Sequence, residues 1–126
     1  MPKQPSGIYK ITNLKNGKVY IGQSKNIFER KLQHFTALHT HWHENTQMQK
    51  DWNKDSHGFR WDVVEYCPLN KLNEREKFWI DKYDSIDKGY NQGWVPYTRK
   101  PTKSHNVRHK KTKYHKDTHL IERIMK

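Results

Sequence analysis

Gly7-Ile8-Tyr9-Lys10-Ile11-Thr12-Asn13, then Asn16-Gly17, then Lys18-Val19-Tyr20-Ile21-Gly22-Gln23: this stretch decides the fold of the 126-residue chain. Two runs rich in β-branched and aromatic residues flank an Asn-Gly pair, the dipeptide favoured where a tight hairpin turn needs positive φ at both central positions. The runs are therefore expected to pair antiparallel, with Lys15 opposite Lys18 and Asn13 opposite Tyr20. Because side chains alternate along a strand, this register puts Tyr9 and Tyr20 on one face. Gly22, with no side chain, lets a ligand or a second backbone come close. Either the two phenols fill a core, a common fate of tyrosine, or they line a site.

Downstream, Asn26 followed by Glu29 resembles a capping box, and Phe28, Leu32, Phe35 and Leu38 recur at helical spacing, which predicts a helix over about Ile27 to His39. Arg30 and His34 are neighbours on its other face. They either form a solvated surface or point at an anion. His39, His41 and His43 surround Trp42, but no cysteine pair or distant histidine pair completes a zinc set, so contact of a histidine with phosphate is the better reading. Asn45 caps a short helix carrying Met48 and Trp52, the segment Asp55 to Gly58 turns, and Phe59 to Tyr66 alternates as a third strand that Pro68 stops.

A third helix, roughly Leu69 to Tyr83, has an apolar stripe of Leu72, Trp79, Ile80 and Tyr83, and at about 100° per residue Glu76 falls in its middle while Glu74 faces solvent. A carboxylate in that position needs a partner, either an arginine or a metal ion. The folded part closes at Lys88-Gly89-Tyr90-Asn91.

The chain carries 25 Lys and Arg against 13 Asp and Glu, a net charge of +12. A polyanion is the expected partner, nucleic acid before membrane surface. No apolar run approaches the roughly 20 residues that span a bilayer and the first residues lack a signal-peptide core, which points to a cytoplasmic protein with no membrane partner. The single cysteine, Cys67, excludes an internal disulfide and reads as a small buried residue at a strand end. Residues 1–96 are expected to form one domain. Residues 97–126 hold ten Lys or Arg against two acidic residues, net +8. They are expected to be a basic DNA-binding arm, flexible but for a short terminal helix over Leu120, Ile121 and Ile124, with Arg99, Lys100, Lys103, Arg108, Lys110, Lys111 and Lys113 on phosphates.

With Gly7-Ile8-Tyr9, Tyr20-Ile21-Gly22, Arg30 and Glu76 placed, the chain resembles the GIY-YIG nucleases from Gly7 to Asn91. In motif detail it is similar to the intron-encoded homing branch: Lys18 to Gly22, Phe28-Glu29-Arg30, His34-Phe35, Glu74-Arg75-Glu76 with Phe78-Trp79-Ile80, and Gly89-Tyr90-Asn91. The resemblance implies an α+β fold, a small three-stranded antiparallel sheet flanked by helices, here followed by the basic C-terminal tail. It implies a metal-dependent endonuclease hydrolysing phosphodiester bonds in double-stranded DNA, using one Mg²⁺ or Mn²⁺ ion and no small-molecule cofactor, and a monomer is favoured. Glu76 matches the family's metal-binding carboxylate, Arg30 its phosphate-clamping arginine, Tyr9 and Tyr20 its motif tyrosines and Asn91 its C-terminal asparagine. His34 and His43 match active-site histidines, with His43 and Gly22 further expected to touch nucleic acid. Tyr9 is the implied general base and His34 its rival. Homing relatives carry a long DNA-binding region in place of the basic tail seen here. The reading from a different class is a non-catalytic nucleic-acid-binding module that keeps the fold.

Overall fold

The computed structural model describes residues 5–98, in which strands β1 (Gly7–Asn13), β2 (Val19–Ser24) and β3 (Phe59–Tyr66) form one antiparallel sheet in the order β2-β1-β3. The hairpin forms as expected, but its loop is longer than a two-residue turn. The Asn13 N–H donates to the Lys18 carbonyl at 2.9 Å and the Gly17 N–H to the Asn13 carbonyl at 2.7 Å, so Leu14 to Gly17 make the loop. Gly17 sits at φ 78°. The expected pairs Lys15–Lys18 and Asn13–Tyr20 give way to Thr12–Val19, Ile11–Tyr20 and Tyr9–Gly22. The cause is local: Asn13 and Asn16 side chains each accept the backbone N–H two residues on, from Lys15 and Lys18, which builds a wider loop than Asn-Gly alone requires. The slip is by two residues, and side chains repeat every two, so Tyr9 and Tyr20 still share a face, their rings 6.4 Å apart.

As the central strand, β1 is covered on both sides. On one side Tyr9 and Ile11 pack with Leu38, Met48, Trp52 and Tyr90 beneath helices α1 (Ile27–His39) and α2 (Thr46–Lys54). On the other, Ile8 and Ile21 meet Leu72 and Ile80 of α3 (Leu72–Tyr83). A bulge serves this division: Ile8 pairs with Glu65 but Tyr9 with Val63, leaving Val64 extra. Past the extra residue the side-chain phase reverses. Glu65 therefore turns to α3, where its Oε1 accepts from Arg75 Nε and Trp79 Nε1, each at 2.8 Å.

Four expectations need correction. In α1 the buried side chains are Ile27, His34, Thr36 and Leu38, while Phe28 and Leu32 of the expected stripe are 58% and 44% exposed. A hydrogen-bonded polar side chain carries little burial penalty, and His34 has partners inside, so the helix turns that face to the sheet. The capping role of Asn26 holds, its side chain accepting from the Glu29 N–H at 3.1 Å, but Ser24 Oγ takes the Asn26 N–H in place of a reciprocal glutamate. The third helix begins with a 3-10 turn over Leu69–Lys71, and Cys67 is half-buried against the cluster of Ile8, Ile21, Leu72 and Ile80.

Candidate active site

A cleft of about 890 Å³ opens along the edge strand β2, and Tyr9, Tyr20, Gly22, Arg30 and Glu76 all line it. Tyr9 and Tyr20 come from the face covered by α1, which supplies Arg30. Gln23, of opposite phase to Gly22, lies on the α3 face with Glu76. Gly22 sits where the two sets meet. A Cβ there would lie 2.3 Å from Tyr9 Oη, so the missing side chain is the space the phenol occupies.

Tyr9 is only 1% exposed yet lines the cleft. Its ring stacks on Trp61 at 4.4 Å, its oxygen lies 2.7 Å from His34 Nε2, and it feels the charge of Arg30. Burial raises the Tyr9 pKa above 10.0, and the Arg30 charge opposes that rise. Tyr20 is raised as well, chiefly by burial and then by Tyr9. Arg30 is held firmly charged, most of all by Tyr9, and its Nη1 donates to Gln33 Oε1 at 3.0 Å.

Across the cleft, Glu76 is half-buried, and its Oε1 accepts from two neutral donors, Gln23 Nε2 at 2.8 Å and Trp94 Nε1 at 3.1 Å. No cluster of three or more His, Cys, Asp and Glu gathers among the described residues. An oriented carboxylate on the wall of an open cleft does not suit zinc. It does fit Mg²⁺ or Mn²⁺, which keep waters and take substrate oxygens as further ligands.

His34 is 4% exposed, and its Nδ1 lies 2.8 Å from His43 Nε2. His43 Nδ1 in turn accepts the Asn45 backbone N–H at 3.0 Å. Both histidines are held neutral, mainly by burial and then by Arg30, with the His43 pKa lowered to about 4. Both ring nitrogens of the half-buried His43 thus have partners within the protein. Asn91 is not among the residues that line the cleft. It is 8% exposed, and its amide donates to the Ile21 carbonyl at 2.9 Å and accepts the Ile21 N–H at 2.8 Å. It braces the edge strand β2.

Sequence reasoning missed Gln23, Trp94 and Asn73. The Asn73 amide pairs with Tyr97, donating to its carbonyl and accepting its N–H, both at 2.9 Å, and so ties the start of the expected arm to the cleft wall. Only the position of Gln23 beside Gly22 hinted at any of these. Arg99, Lys100, Lys103, Arg108, Lys110, Lys111 and Lys113, and the segment Leu120 to Met125, lie outside the described residues.

The family model of the GIY-YIG catalytic domain matches residues 5–91. The chain belongs to that family. Over 88 residues it is 39% identical to intron-associated endonuclease 1 of Enterobacteria phage T4, a match that spans 68% of this chain and 36% of that protein, so just over a third of the relative's length is represented. Among solved structures, a mutant of the catalytic domain of intron endonuclease I-TevI aligns with TM-score 0.69 at 33% identity, covering 75% of this chain and all of that one. The catalytic domain of homing endonuclease I-TevI aligns with TM-score 0.66 at 35% identity, covering 71% and 99%. The three-stranded GIY-YIG sheet with its helices is thus the fold expected from the motifs. Among the described residues no helix is long and apolar enough to cross a membrane.

Proposed function

We propose that the chain is a divalent-metal-dependent endonuclease that hydrolyses phosphodiester bonds of double-stranded DNA. The observation that carries this reading is the meeting, across Gly22, of a carboxylate from α3 with a charged arginine and a buried tyrosine from the opposite face. A phosphate in the cleft would receive the Arg30 guanidinium on its non-bridging oxygens, where charge builds in the transition state. Tyr9, entering as phenolate, takes a proton from the attacking water as the water oxygen bonds to phosphorus. The bond to the leaving oxygen breaks, and solvent protonates that oxygen. Glu76 would hold the Mg²⁺ or Mn²⁺ ion, whose charge offsets that of the phosphate and the leaving oxygen. Gln23 and Trp94 keep the carboxylate turned into the cleft.

A base that works only as phenolate, with its pKa raised above 10.0, is scarce at neutral pH and grows tenfold with each pH unit. Cleavage by the full chain is therefore expected to rise about tenfold per unit between pH 7 and 9, and Tyr9→Phe is expected to lose that slope along with about a hundredfold or more in rate. A flat profile, or normal turnover by Tyr9→Phe, would remove Tyr9 from the role. No cleavage by wild type at any pH would end the endonuclease reading.

The segment 97–126 is read as a tether to DNA. It carries net +8 of the chain's +12 and no motif for entering a groove. Removing residues 99–126 is expected to weaken DNA binding and flatten the plot of log affinity against log salt, since that slope counts neutralised phosphates. Cleavage-site preference should barely change. An unaltered salt slope with scrambled sites would show instead that the segment reads sequence.

A further inference from the structure

His34 stands between Tyr9 and His43, and the protons of this row are ordered from its far end. The Asn45 backbone N–H points at His43 Nδ1 from 3.0 Å, and an amide N–H only donates. His43 Nδ1 is therefore the bare nitrogen of a neutral ring, and the proton sits on Nε2. That N–H faces His34 Nδ1 at 2.8 Å, so His34 accepts there and carries its own proton on Nε2. The His34 Nε2–H then faces the Tyr9 oxygen at 2.7 Å.

We propose that His43, its tautomer set by the Asn45 backbone, is a positioning residue: through His34 it presents a fixed N–H donor to the Tyr9 oxygen, which bars His34 from taking the Tyr9 proton. This rests on the reading of Tyr9 as base. A donor on the phenolic oxygen favours its charged form, and with Arg30 it works against the effect of burial. The other groups around the row keep the order intact. Gln49 Oε1 holds the His43 backbone N–H at 3.0 Å, and Arg30 on the same helix as His34 disfavours a second proton on either ring, while the Glu44 charge is felt by Tyr9 and Arg30. His34, the rival base, thereby becomes a donor.

Two-bond proton–nitrogen correlation spectra of the ¹⁵N-labelled full chain at pH 7 read histidine tautomers directly. His34 and His43 are both expected as Nε2–H forms, and His43→Ala is expected to change the His34 tautomer population, which a merely structural role would not do. An Nδ1–H form of wild-type His34, or a His34 signature unmoved by His43→Ala, overturns the proposal. Cleavage gives a second arm. A glutamine amide can donate at the place of Nε2–H but cannot accept a proton, so His34→Gln is expected to stay within about tenfold of wild type while His34→Ala loses about a hundredfold. Equal losses would overturn the donor role. If wild type does not cleave, the endonuclease reading falls on its own, and the spectra alone decide the order of protons.

Discussion

Glu76→Ala is expected to lower plasmid cleavage by about a thousandfold or more while leaving the fold and most DNA affinity in place. The rate effect follows from removing the carboxylate that α3 presents to the cleft, and with it the proposed means of holding a cation at the phosphate; losing one charge-stabilising group of this kind costs roughly 10²–10³ in rate, and loss of the ion adds to that. The structural effect should be small. Gln23 and Trp94 lose an acceptor at Oε1, but both line or border an open cleft where water replaces it, so about 1 kcal/mol is the expected cost. Affinity persists because it comes from many phosphate contacts rather than from one site. Thermal melts, filter binding and a cleavage time course on the same preparation check all three. A large fall in melting temperature with cleavage retained would make Glu76 a structural residue.

Gly22→Ala is expected to be nearly as damaging, although it adds a single methyl group. The new Cβ would lie 2.3 Å from Tyr9 Oη and 2.4 Å from Cζ, so the phenol must move. It has little freedom to do so: the ring is stacked on Trp61 and its oxygen is held at His34. Overpacking of this kind costs about 1–3 kcal/mol of stability, and a base displaced by about 1 Å loses on the order of a hundredfold in rate. Cleavage and melting temperature should therefore both fall, the rate by far the more. A Gly22→Ala protein with wild-type turnover would show that Tyr9 need not rest against β2 to work.

What could be read from the sequence and what could not divides along physical lines. The shared face of Tyr9 and Tyr20 was legible although the register was not, because a slip of two residues leaves strand parity intact. Glu76 stood out because a charge interrupts an apolar stripe, a local and countable feature. The orientation of α1 was misread for the opposite reason. Counting apolar positions assigns His34 to the surface, and only its distant partners Tyr9 and His43 make it an interior residue. The links between Asn91 and Ile21, Trp94 and Glu76, and Asn73 and Tyr97 also join elements far apart in the chain. No spacing rule reports such contacts. Family resemblance places Asn91 among the expected site residues, and in the structure its amide fixes the strand on which Tyr20 and Gly22 stand.

The central claim is that one cleft at the β2 edge hydrolyses DNA with a cation held by Glu76. Its most direct test is supercoiled plasmid incubated with the full chain in Mg²⁺, in Mn²⁺ and in excess EDTA. Nicked or linear product in both metals and none in EDTA is the expected result. Cleavage that survives EDTA, or no product in either metal across a range of protein and salt, would contradict it.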